Sequence, residues 1–138
     1  MNNKQKRFFN IAKEVAQLSD FKRTAVGAVV VEGKRIISTG HNSNKTSTTQ
    51  YRYNKYRNIK DVEKYSAKIH AEVDALTPLL KENYDCSHAS IYIYRKLKDG
   101  SSSCARPCAA CMRLIKDLGI KTIYYTDWDE GFVKEEIL

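Results

Sequence analysis

The stretch Ser103–Tyr125, SCARPCAACMRLIKDLGIKTIYY, decides the fold. From Cys108 to Leu118 it reads as an amphipathic helix, and Gly119 suits the C′ position that ends one. Lys121–Thr126, KTIYYT, then reads as a strand. Working outward, Ala89–Tyr94, ASIYIY, is a strand before that helix, and Lys98–Ser103 is a loop with an Asp99-Gly100 turn. Strand, helix, strand in this order predicts parallel late strands covered by helices on both faces. Farther upstream, Ile69–Glu82 has helical spacing, with Pro78 expected to kink it or end it near Thr77. Ala25–Val31, AVGAVVV, and Arg35–Thr39, RIIST, form a hairpin about Gly33. Lys4–Leu18 is an N-terminal helix with Phe8, Ile11, Ala12, Val15 and Leu18 on one face. Gly40–Lys60 is polar and irregular, with a short helix around Tyr51–Arg57.

The 138 residues fit a single domain, 1–138, long enough to bury a core without disulfide staples. No apolar run approaches a membrane span. The start, MNNKQKRFFN, is basic but lacks the apolar stretch of a secretory signal, so the expected location is cytoplasmic. In that compartment four cysteines point to metal or catalysis before disulfides. The net charge of +8 favours an anionic partner. Of the basic clusters, Tyr51–Lys60, YRYNKYRNIK, interleaves aromatics with cations. That mixture suits a phosphate-rich or base-stacking ligand, or a solvated helix with its tyrosines turned inward.

Cys104, Cys108 and Cys111 fall within eight residues. A disulfide staple, an iron–sulfur cluster, a structural zinc knot and a catalytic metal site are the candidates. Pro107 is expected at N1, which puts Cys108 and Cys111 on one face of the first turn. The positive end of a helix lowers a thiol's pKa, and a cation would hold both as thiolates. More ligands are needed. Of His41, His70 and His88, His70 stands two residues before Glu72 in IHAEVDAL. Inside a helix such a pair points about 200° apart. To serve one centre, His70 must sit at or before the first turn. Two helix N-termini could then face each other across a metal, where ligand crevices form in open α/β sheets.

HAE (70–72) and PCAAC (107–111) match the H-x-E…P-C-x-x-C metal motifs of zinc deaminases. VGAVVVEGKRIISTGHNS (26–43) resembles the first hairpin of the zinc-dependent cytidine/deoxycytidylate deaminase superfamily, with its substrate-side asparagine. GIKTIYY (119–125) resembles the strand that follows in deoxycytidylate deaminases. The resemblance runs from about residue 5 to 128. It implies a three-layer α/β/α fold with a central mixed sheet of about five strands and helices on both faces. It implies Zn²⁺ held by His70, Cys108 and Cys111, with the fourth position open to water. Glu72 would take the water's proton, deliver it to the ring nitrogen and assist ammonia departure. Asn42 would contact sugar or base, the Ala71 N–H the pyrimidine carbonyl, and Val26 the ring. Tyr125 and Trp128 would wall the pocket or, equally, pack in the core, and a turn residue is the lesser reading of Asn42. Lys22, Arg23 and Arg106 are phosphate candidates or solvated charges.

Cys104 makes C-x3-C-x2-C with the other two thiols, a spacing used for four-iron clusters in much longer barrels. That reading leaves HAE unexplained. Cys104 could instead close a Cys3His structural site in a non-catalytic binding module, or be a small buried neighbour. A second structural metal at Cys86 or His88 is a further alternative. For substrate, dCMP to dUMP leads. Cytosine in single-stranded DNA or RNA is the alternative, with adenine chemistry third. Homo-oligomers are expected from the resemblance.

Overall fold

A computed structural model describes residues 1–57 and 67–137. Residues 58–60 of the aromatic–cationic stretch Tyr51–Lys60 therefore lie outside the described residues. The elements run α1 (Asn3–Ala16), β1 (Thr24–Glu32), β2 (Arg35–His41), α2 (Thr48–Tyr53), α3 (Ala71–Lys81), β3 (Ala89–Leu97), α4 (Ala109–Asp117), β4 (Thr122–Thr126) and β5 (Phe132–Glu136). One mixed sheet has the order β2-β1-β3-β4-β5. β3 and β4 are parallel, as the strand–helix–strand pattern requires, and the other neighbours are antiparallel.

The two faces of the sheet follow from strand alternation. Val29, Val31, Tyr92 and Tyr94 pack with Phe8, Phe9 and Ala12 of α1. Ala28, Val30, Ile91 and Ile93 face the other way, into a core with Val73, Leu76, Leu114 and Ile115 of α3 and α4. Both faces are covered, so the central strands read as continuous apolar runs and not as alternation. Two glycines let helices lie directly on strands. A Cβ on Gly27 would collide with the backbone of Ala12 and Ala16 in α1. One on Gly40 would collide with the backbone of Ala71 and Ala75 in α3.

Four local expectations are corrected. Helix α3 runs past Pro78 to Lys81. Pro78 sits on the exposed side and withholds one donor, from the Asp74 carbonyl, which does not stop the helix; the Thr77 hydroxyl bonds the neighbouring Val73 carbonyl at 2.6 Å. Pro107 precedes the N-cap; Cys108 itself is the N-cap and Ala109 is N1. The short helix starts at Thr48, earlier than expected, under a Ser47 cap. The fifth strand is Phe132–Glu136, where no strand signal was read; it is an edge strand with only its alternate residues partly buried.

Candidate active site between two helix N-termini

His70 is the N-cap of α3, in extended backbone, and Glu72 is N2. This is the arrangement that the two-residue spacing demanded. The His70 backbone N–H donates to Gln50 Oε1 at 2.9 Å, and the buried Gln50 amide donates in turn to Asn54 Oδ1. α2 thus fixes where α3 begins. Across from it, Cys108 caps α4 and Cys111 is N3, one turn on. His70 Nδ1 lies 3.6 Å from Cys108 Sγ and 3.3 Å from Cys111 Sγ.

These distances test the fit to zinc. Zn–S near 2.3 Å and Zn–N near 2.0–2.1 Å at a tetrahedral angle place N and S about 3.6 Å apart. The three ligand atoms lie within 4.8 Å of one another, and Cys104 is not in that group. Among the described residues no further cluster of metal-ligating side chains brings in Cys86 or His88. A closed Cys3His site is therefore not what the chain builds. The protonation of the two thiols agrees. A hydrogen bond from Cys111, with help from His70, holds Cys108 down to about 3 against desolvation. Its partner Cys111 is pushed well up by that hydrogen bond, by burial and by the Glu72 charge. One proton is shared where a dication would hold two thiolates. Burial raises the Glu72 carboxyl above the usual carboxylate range, although His70 opposes it.

Beside this group opens a cleft of about 310 Å³. His70, Glu72 and Cys108 form its floor, with Val26 and Thr24 of β1 on one side. Asn42 lines it as well. The Asn42 amide is locked: Oδ1 accepts from the Val26 N–H at 2.9 Å and the Ser19 hydroxyl at 2.5 Å, while Nδ2 donates to the Thr24 carbonyl. One amide hydrogen is left for the cleft. Ala71 is buried between His70 and Glu72 and presents no side chain there. Tyr125 is also absent from the lining. It is buried in β4, and its hydroxyl donates to Glu135 Oε1 at 2.9 Å. Trp128 is exposed beyond β4, and Lys22 and Arg23 are exposed and do not line the cleft.

Three arginines line the cleft: Arg106, a phosphate candidate; Arg57, from the aromatic–cationic stretch Tyr51–Lys60; and Arg95, which was not foreseen. Strand parity could have found Arg95. It follows Ile91 and Ile93 on the α3/α4 face, at the carboxyl end of β3. The Cys104 carbonyl takes Arg95 Nη1 at 3.3 Å, so Cys104 serves the cleft through its backbone. Arg106 makes a two-pronged pair with Glu135, Nε to Oε1 and Nη2 to Oε2, each at 3.0 Å.

A scan of family models matches residues 2–127 to the cytidine and deoxycytidylate deaminase zinc-binding region. The chain belongs to the cytidine and deoxycytidylate deaminase family, whose members are hydrolytic enzymes that bind zinc. Its class of reaction is the deamination of a pyrimidine. A curated relative, the deoxycytidylate deaminase of Mycobacterium phage D29, is 33% identical over 129 aligned positions, covering 86% of this chain and 90% of that one. Among solved structures, the apo dCMP deaminase of cyanophage S-TIM5 superposes with a TM-score of 0.62 at 22% identity, covering 95% of this chain and 89% of that one. A cytidine deaminase from Burkholderia pseudomallei gives 0.65 at 18% identity, covering 99% and 93%. These two likenesses carry the three-layer fold with its mixed five-stranded sheet. Among the described residues no helix is long and apolar enough to cross a membrane.

Proposed function

We propose that the protein converts dCMP to dUMP and ammonia, with His70, Cys108 and Cys111 holding the zinc. The observation that carries the substrate is the charge of the cleft: Arg57, Arg95 and Arg106 line the same opening as Glu72. A neutral nucleoside has no group that calls for such a set, whereas a nucleotide brings a phosphate. The 33% identical phage relative, named a deoxycytidylate deaminase, supports the same choice.

When bound, the zinc supplies a Lewis acid that lowers the pKa of water. The chain's own residues do the rest. Val26 packs on the pyrimidine, and the remaining Asn42 amide hydrogen reaches the sugar or base. The Ala71 N–H, at N1 of α3, donates to the carbonyl at C2 of the ring. Glu72 takes a proton from the attacking water and gives it to N3 as the new C4–O bond forms. It then carries the second proton to the amino group, which leaves as ammonia while C4 becomes a carbonyl. Burial raises the carboxyl toward working pH, which suits a group that both takes and returns a proton. Tyr125 touches no substrate in this reading.

The test is product analysis by mass spectrometry on zinc-loaded protein with dCMP, CMP, deoxycytidine and a cytosine-containing single-stranded oligonucleotide. Conversion of dCMP over an inert oligonucleotide is the expected result. Conversion of the oligonucleotide with inert dCMP would transfer the site to polynucleotide cytosine.

A further inference from the structure

The family match ends at residue 127, and β5 begins at Phe132. Yet a β5 side chain grips an arginine of the cleft. Glu135 accepts from Arg106 Nε and Nη2, and its Oε1 also accepts the Tyr125 hydroxyl. A guanidinium carries five N–H donors in a rigid fork. With one edge on Glu135, the hydrogens of Nη1 and the second on Nη2 remain for another acceptor. A fork fixed along one edge is pre-set for two-pronged contact with a phosphate along the next. The second wall arginine is held differently. Arg95 rests Nη1 on the Cys104 carbonyl, and its Nε is buried with no partner. Among the described residues no carboxylate pairs with Arg95. Of the three arginines in the cleft, Arg106 is thus oriented by a carboxylate, and Arg95 keeps an unmade hydrogen bond.

We infer that Glu135, steadied by Tyr125, is a positioning residue for Arg106, and that Arg106 and Arg95 together receive the phosphate monoester of the pyrimidine nucleotide. β5, outside the matched region, then sets the preference for nucleotide over nucleoside. This rests on the dCMP reading. Tyr125 acts on the substrate at a remove, through Glu135 and Arg106.

The experiment is steady-state kinetics on dCMP with zinc-loaded wild type, Arg106→Ala, Glu135→Gln and the double variant, at one ionic strength. Arg106→Ala is expected to raise KM by about 10- to 100-fold, the loss of a charge-assisted contact, with kcat within about threefold. Glu135→Gln is expected to raise KM by roughly three- to tenfold in the wild-type background and to do nothing further once Arg106 is gone. Tyr125→Phe, which keeps the ring and its packing, should move KM in the same direction by a smaller factor. An unchanged or lowered KM in Glu135→Gln, or an equal effect of it in the Arg106→Ala background, overturns the inference. Wild type that spares dCMP while converting deoxycytidine or the oligonucleotide overturns the dCMP reading instead.

Discussion

Glu72 occupies N2 of α3, two residues from one proposed ligand and buried against the thiols. A carboxylate at a helix start complements the dipole, which alone would make it a structural residue. Its burial beside the cleft floor argues for the proton shuttle. Glu72→Ala should therefore retain zinc, measured by metal analysis, and lose at least about 100-fold in kcat. Loss of the metal with the activity would make Glu72 structural. Cys111→Ser should do the reverse, with zinc lost first, because Cys111 is one of only three side chains placed to hold it among the described residues. The metal-side residues were legible because each motif is local: His-x-Glu and Cys-x-x-Cys each fit within one turn. The cation set was less so. Arg57 and Arg95 reach the cleft from distant parts of the chain; the aromatic–cationic stretch Tyr51–Lys60 hinted at the first, and strand parity alone at the second. The side chain of Tyr125 was left between pocket wall and core for a like reason. Its partner, Glu135, lies on a strand that the sequence did not announce.

At the scale of elements, the site is two helix starts held at a fixed separation. Gly40 lets α3 lie on β2, and α3 presents His70 and Glu72. Gly40→Ala forces the two backbones apart. It is expected to cost about 1–3 kcal/mol, the range for overpacking, seen as a lower denaturation midpoint at unchanged slope. The same shift should reduce kcat, because His70 and Glu72 move with the helix. α2 is tied to α4 by the Tyr53 hydroxyl, which donates to Asp117 at 2.7 Å. Burial, then Asp117, raises this phenol from its ordinary 10 to about 12. The folded state binds that proton more tightly than the unfolded one. Its contribution is complete below pH 10 and is lost as pH rises through about 12. Urea midpoints taken from pH 9 upward should fall more steeply for wild type than for Tyr53→Phe. Helices and central strands were visible in the sequence through their period and their β-branched runs. β5 was not, because an edge strand that buries only alternate residues carries no apolar run.

Across the whole molecule, one face of the sheet is sealed by α1, and the other carries α3 and α4 with their N-termini toward each other. The contacts of His70 with Cys108 and Cys111 already join those two helix starts, and the proposed metal would tie the same three side chains together. Removing zinc with a chelator should lower the melting temperature by several degrees, and adding it back should restore the original value. The layer order followed from the strand–helix–strand signature around Cys108–Thr126 together with the doubly apolar central strands. The cationic cleft and its control from β5 exist only once the sheet has brought residues 57, 95, 106 and 135 to one end. The most direct measurement is the conversion of dCMP by zinc-loaded protein, followed by mass spectrometry beside Glu72→Ala with its zinc retained. The account predicts dUMP and ammonia in equal amounts from wild type and none above background from the variant. An intact dCMP pool with the zinc site fully loaded would contradict it.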